Sequence, residues 1–460
     1  MQAIEHLATR REVIATTWDL QRGFVLLPAG LPIPIQGTDQ YHEFHAHPEF
    51  AYLGAAHTPG AVLTFDPGDG WNLFAPTASL EDRVWVGDGE DLGALATSTG
   101  LRVRPIEELG PWLEQRRSEP AALLGNSDIT YRAAHYGLSA WRTLELALDP
   151  ELSARLSEQV AEQRRAKDPS EVSLMREAAE VSRLGHLAAW RAARPGMGER
   201  RLQVELEAEF FRNGAPRTAY GSIVGTGSNG AVLHFSPTDR QLHDGELVLI
   251  DAGAEIGGYA SDVTRTFPVN GRFEGAQPDL YQLVLDVQRA AIAGARPGVE
   301  YKELHLAACT QIAAGLVDLR ILRGHAQDLV DQDAHALFFP HGLGHMLGLS
   351  THDAGGCLAG RTPSDRFGLK WLRADLPLQP GYVVTIEPGI YFIRALLTDP
   401  GRREQYREAV DWERVDTLLD FGGIRIEDDV LITEGAADVL SGGLPTGIAE
   451  IERLRQEALQ

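Results

Sequence analysis

Glu246-Leu247-Val248-Leu249-Ile250-Asp251-Ala252-Gly253-Ala254-Glu255-Ile256-Gly257-Gly258-Tyr259-Ala260-Ser261-Asp262-Val263-Thr264-Arg265-Thr266-Phe267 decides how the rest of the chain is read. Its first part is an aliphatic run of strand length that ends on an acid, Asp251. After the Gly257-Gly258 turn signal the pattern alternates again and carries a second acid, Asp262. A two-residue loop at Ile256-Gly257 pairs Glu255 with Gly258 and sets Asp251 directly opposite Asp262, with Cβ atoms about 4.5–5.5 Å apart on one face. Two bare carboxylates that close repel each other. A divalent cation removes the repulsion, and such acids would bridge two ions about 3.5–4 Å apart. The bland alternative is an acid pair at a solvated hairpin end; the apolar run before Asp251 argues against an outside position.

Two more acids end strand-like runs. Val383-Val384-Thr385-Ile386 leads to Glu387, and Gly422-Gly423-Ile424-Arg425-Ile426 leads to Glu427. By the period of two, Arg425 and Glu427 share a face. Gly245 stands six residues before Asp251, and Gly381 stands at the same offset before Glu387. A second echo pairs Ala193-Arg194-Pro195-Gly196 with Ala295-Arg296-Pro297-Gly298, each followed at the same spacing by a leucine, Leu202 and Leu304. Together the echoes predict two similar α+β halves related by pseudo-symmetry, with an acidic strand from each facing a shared cleft.

Between these acids lies Phe338-Phe339-Pro340-His341-Gly342-Leu343-Gly344-His345, followed by His352-Asp353. A lone histidine is more often packed or solvated than a ligand; three beside glycines, after an apolar run, point to a site. His341 and His345 would share a face if helical, but the glycines suit a loop or a helix start equally. The spacing admits zinc, yet the Glu expected between zincin histidines is absent. Four carboxylates and one imidazole are mostly hard oxygen ligands, which favours manganese, or cobalt or iron, over structural zinc.

The chain has 460 residues, suiting two domains, with 43% hydrophobic and 23% charged residues, an ordinary globular balance. A formal charge of −23 argues against nucleic acid and anionic membrane as partners. Two cysteines, Cys309 and Cys357, build no disulfide framework and predict a reducing, cytoplasmic setting. Mixed charges at the N-terminus leave no signal-peptide core, and no run of about 18 apolar residues occurs. The region 1–160 reads as an α/β domain without a catalytic constellation: a helix from Arg10 to Gln21, a strand at Phe24-Val25-Leu26-Leu27, and a hairpin turning at Asp66-Pro67-Gly68-Asp69-Gly70. The Lys167-Asp168-Pro169-Ser170 stretch marks the boundary, with Asp168 or Ser170 capping the next helix. The second domain is expected over 168–460.

The segments around Asp251, Asp262, His341 to His345, His352, Glu387 and Glu427 resemble the pita-bread metallopeptidases, the M24 family that includes methionine aminopeptidase, aminopeptidase P and prolidase. The resemblance covers roughly 168–454. It implies an α+β pita-bread catalytic domain behind a smaller α/β domain, with two divalent ions: manganese first, with cobalt, iron or zinc compatible. By the same resemblance Asp251 chelates one ion, His345 and Glu387 the other, and Asp262 and Glu427 bridge. His234 is similar to the family histidine near the leaving group; His341 and His352 match those lining the substrate site, with Glu387 also shuttling a proton. Tyr391 and Arg425 match positions flanking the ligands and count, with Arg373, on the substrate side. The stretch Thr385-Ile386-Glu387-Pro388-Gly389-Ile390-Tyr391-Phe392-Ile393 and the long insert before Gly422 most resemble prolidases, and Arg373 matches their dipeptide-carboxylate arginine. Arg394 departs from that pattern, which has an acid there.

The implied activity is hydrolysis of the Xaa-Pro bond, preferably in dipeptides, by a homodimer. Aminopeptidase P, acting on longer Xaa-Pro peptides, is the first alternative. A metal-free pita-bread binding protein is the second, set against the presence of all five ligand positions.

Overall fold

The computed structural model describes residues 2–54, 58–125, 146–358 and 360–460. Two compact units result, Met1–Arg164 and Arg165–Gln460.

The first unit is built on a five-stranded mixed sheet, in the order Arg102–Pro105, Gly70–Ala75, Val62–Asp66, Phe24–Pro28, Ala121–Leu123. The expected hairpin forms with Asp66 opposite Gly70. The N-terminal helix runs Gln2–Trp18, starting before the expected Arg10 and ending short of the expected Gln21. Phe24, Leu26, Val62 and Phe74 on one sheet face pack against Leu109, Trp112 and Leu113.

In the second unit, helix Pro169–Ala192 opens with Asp168 as N-cap, its carboxylate accepting from Ser170 N and Glu171 N while Glu171 returns a bond to Asp168 N. Such a cap is worth about 0.5–2 kcal/mol. Both echoes become structure. Helix Pro169–Ala192 and helix Glu199–Arg212 flank the first Arg-Pro-Gly turn; helix Gln277–Gly294 and helix Tyr301–Asp318 flank the second. Strand Leu247–Asp251 lies between Ile223–Thr226 and Thr264–Pro268, and strand Val383–Ile386 pairs with Asp428–Leu431. These are the pseudo-two-fold halves of a pita-bread fold. The sheets bury their aliphatic faces against the helices in one core that includes Trp190, Leu206, Phe210, Val248, Ile250, Phe267 and Val284. Truncating a residue such as Trp190, 1% exposed, would cost about 3–5 kcal/mol.

Cys309 is buried and Cys357 half-buried, both as free thiols. No helix among the described residues is long and apolar enough to cross a membrane.

Candidate metal centre

Strand Leu247–Asp251 pairs with Thr264–Pro268 two residues out of the expected register. Ile256 faces Tyr259, and Asp251 faces Thr264 rather than Asp262. The cause lies in the turn. Its two central residues are Gly257 and Gly258, at φ 58° and 86°, as a tight hairpin of primed type requires. A loop at Ile256-Gly257 would have forced a β-branched residue to positive φ. A slip of two preserves side-chain facing, so both acids still reach one place. Tyr220 Oη lies 2.6 Å from Asp251 Oδ1 and 2.5 Å from Asp262 Oδ1. A phenol has one hydrogen for two carboxylates, so one of these short contacts needs a proton or a cation.

The segment 341–345 is a loop, not a helix. Gly344 there has no room for a side chain, since a Cβ would meet Thr385 O at 2.2 Å. This close approach lets His345 N donate to Thr385 Oγ1 at 3.0 Å and drops the imidazole among the acids. His345 Nδ1 lies 3.0 Å from Met346 O, so the tautomer with Nδ1–H donating leaves Nε2 as a lone pair. That lone pair faces Asp262 Oδ2 at 3.5 Å and Glu387 Oε1 at 3.6 Å. Either a proton on Nε2, which these acids favour, or a cation between the three atoms relieves the contact. One ligand-type atom each from Asp262, His345 and Glu427 fall within 4.8 Å of one another.

Electrostatics agree. Asp262, His345 and Glu427 are at most 5% exposed. Burial, against the pull of Arg425, pushes Asp251 up to about 6, and burial, against His345 and Arg425, pushes Glu387 up to about 7. Glu427 is driven well above the carboxylate range by burial and by Asp262, Glu387 and Asp251. For Asp262, burial raises the carboxyl, but His345, Tyr220 and Arg425 together outweigh it and the net shift is downward. For His345, burial lowers, and the acids more than compensate. Four acids with only Arg425 and His345 to offset them cannot all ionise cheaply without added positive charge. The donor set therefore fits divalent cations.

The structure brings His341, His352, Tyr391 and Arg425 to this cluster. His341 Nε2 lies 2.8 Å from Tyr391 Oη, which also receives Arg425 Nη1 at 2.9 Å. His341 Nδ1 is 2.8 Å from Gly342 O, and burial beside Arg425 lowers the ring to about 3, so it is neutral. His352 is exposed and stands edge-on to His345, ring centres 4.4 Å apart. Partial burial, then His345 and Arg373, lower it to about 4. His234 and Arg373 are both exposed, and the charge of Arg373 helps to lower His352. Arg425 and Tyr391 are both buried, Arg425 pairing with Asp251 and donating to Thr264 Oγ1 and Tyr391 Oη.

Four residues at the centre carried no readable signal. Tyr220 is an isolated tyrosine. Thr264 donates to Glu427 Oε2 at 2.5 Å. Arg265 donates to Glu427 O and pairs with Asp428 at 2.7 Å, fixing the backbone that presents Glu427. Asp429 accepts from Asp262 N and Ser261 Oγ and so aims Asp262. Of these only Asp429, third in the Glu427-Asp428-Asp429 run, invites notice as an acid.

A model of metallopeptidase family M24 matches residues 173–434, and one of the aminopeptidase P N-terminal domain matches 7–122. The Xaa-Pro aminopeptidase of Escherichia coli (strain K12) is 33% identical over 471 aligned residues, covering 99% of this chain and 98% of that protein. Pseudomonas aeruginosa aminopeptidase PepP has a TM-score of 0.82 at 32% identity, covering 99% and 98% of the two chains. Aminopeptidase P from E. coli, solved with the inhibitor Pro-Leu, has 0.81 at 31%, with the same coverage.

Proposed function

The chain belongs to metallopeptidase family M24, and from that premise we propose that it removes the N-terminal residue from peptides with proline in second place. The observation that carries this reading is the convergence of Asp262, His345 and Glu427 on one point, with His352 beside it. The names of the relatives support the aminopeptidase over the dipeptidase that the sequence pattern favoured. The E. coli enzyme's inhibitor, Pro-Leu, begins with proline, as does the product left by a cut before proline.

In this reading Asp251, Asp262, His345, Glu387 and Glu427 hold two divalent ions, manganese by preference. When bound, the ions polarise the scissile carbonyl and lower the pKa of a shared water. Glu387, with its raised carboxyl, takes the water's proton and delivers it toward the proline nitrogen. Neutral His352 donates to the carbonyl oxygen as negative charge develops there. His341 is held neutral and oriented by Tyr391, and His234 lies on the leaving-group side. Arg425 fixes Asp251. Proline lacks an amide N–H, so its slot needs no acceptor. Residues 168–460 form the catalytic domain and 1–160 the accessory one.

A second reading, restriction to dipeptides, is favoured by Arg373, an exposed guanidinium whose charge reaches His352 and which would fork onto a free carboxylate after the scissile bond. Incubating the manganese-loaded protein with an Xaa-Pro dipeptide, an Xaa-Pro tripeptide and a control without proline separates the readings. Tripeptide cleavage supports the aminopeptidase; cleavage of the dipeptide alone replaces it with the dipeptidase; no proline-dependent cleavage discards both.

A further inference from the structure

We propose that Lys167 is a positioning residue for His352, acting through a buried ion pair with Asp353 and tying the His352 loop to the strand that ends at Glu387. Lys167 Nζ lies 3.1 Å from Asp353 Oδ2, with side chains 1% and 2% exposed. Asp353 adjoins His352 in sequence. The pair sits against Gly348, where a Cβ would come within 2.3 Å of Asp353 Oδ2 and 3.0 Å of Lys167 Cε. Asp353 N also donates to Met346 O at 2.9 Å.

The grip extends along the loop. Arg165 Nε donates to Gly355 O at 2.9 Å and Arg165 Nη2 to Cys357 O at 3.3 Å. The same stretch holds the neighbouring strand from its other side: Lys167 N donates to Gly381 O at 2.8 Å, and Ala166 bridges to Tyr382. Tyr382 immediately precedes strand Val383–Ile386, whose next residue is Glu387. Arg165-Ala166-Lys167 therefore touches both backbones that carry the proposed oxyanion donor and proton carrier.

His352 needs such a device. It is exposed, on a loop, with its ring edge-on to His345. A donor that must meet a carbonyl oxygen loses its value when it drifts by about 1 Å. A buried charge pair is a specific fastener, because either partner alone is strongly disfavoured in the interior. The inference rests on the proposed function for the role of His352, and on geometry alone for the restraint.

The test uses the full chain, manganese-loaded, as Lys167→Met and Asp353→Asn, read by hydrogen exchange and by kinetics. In folded variants with unchanged metal content, amides of 351–357 should exchange roughly tenfold faster or more, with the helices unaffected. On an Xaa-Pro tripeptide kcat should fall about 10–100-fold, with KM little changed. Combining Lys167→Met with His352→Ala should be no slower than His352→Ala alone, because the lysine acts through that histidine. Wild-type exchange in the loop of either variant, or kcat losses that multiply in the combination, would overturn the proposal. If the single variants do not fold, Lys167→Met/Asp353→Leu removes both charges while keeping apolar bulk. A loosened loop and lowered kcat there uphold the proposal; wild-type behaviour shows that packing suffices and overturns it. A wild-type protein inert on Xaa-Pro peptides would sink the function reading, while the exchange measurement would still decide the restraint.

Discussion

At Arg194-Pro195-Gly196 the amide of Gly196 donates to Leu242 O at 2.8 Å, and at Arg296-Pro297-Gly298 the amide of Gly298 donates to Leu378 O, also at 2.8 Å. Both glycines sit at φ 85°. From each partner leucine the chain passes a positive-φ glycine, Gly245 or Gly381, and runs down a strand to an acid. There the two halves diverge. Asp251 is clamped by Arg425 and Tyr220, whereas among the described residues Glu387 meets Thr385 Oγ1 at 3.4 Å and imidazoles at 3.6 and 3.8 Å. The shared geometry delivers an acid to the cleft from each side. In the proposed reading, the unequal neighbours suit Asp251 to fixed ligation and Glu387 to carrying a proton.

The largest effect should come from the acid common to both sides. Asp262→Asn should empty both metal positions and abolish activity, whereas Asp251→Asn should spare one ion; elemental analysis of the two proteins makes the contrast, and equal metal loss would erase the distinction between shared and private ligands. Glu387→Gln should lower kcat by about 10²–10⁴-fold through the lost proton transfer, well beyond the loss that its metal content, measured alongside, accounts for. His352→Ala should keep its metal and lose about 10²–10³-fold in kcat; a metal-depleted yet folded variant would move this histidine into the ligand set. Arg425→Lys, which cannot fork between Asp251, Thr264 and Tyr391, should weaken metal affinity or activity by about 10–100-fold. The smallest change on tripeptides should follow Arg373→Ala. Its KM should rise on free-acid Xaa-Pro dipeptides and stay flat on amidated ones, and equal shifts on both would remove the basis for the dipeptide reading.

The sequence exposed what periodicity and repetition can carry: strand runs ending on acids, histidines beside glycines, and two matched Arg-Pro-Gly turns. At the central hairpin a loop at Ile256-Gly257 misses the register by two residues, because the turn needs two residues that tolerate positive φ. Gly257 and Gly258 are those residues. Tyr220 and Thr264 were illegible for a different reason. Their roles come from contacts made across the sheet, and a single tyrosine or threonine has no periodic signature. Arg425 was visible by its shared face with Glu427, but only packing shows that its guanidinium is consumed by Asp251 and Tyr391. Arg394, read as a departure from the prolidase pattern, pairs with Asp420 on the surface.

Gly344 gives the ligand list a silent sixth member. It binds nothing, yet a methyl group on it would collide with Thr385 O at 2.2 Å and lever His345 away from Asp262 and Glu387. A homologue that kept every acid and imidazole but carried alanine at this position would pass any ligand count and still lack a working centre. Sorting active members of such a family from retired ones therefore requires reading the empty space behind a ligand as well as the ligand itself.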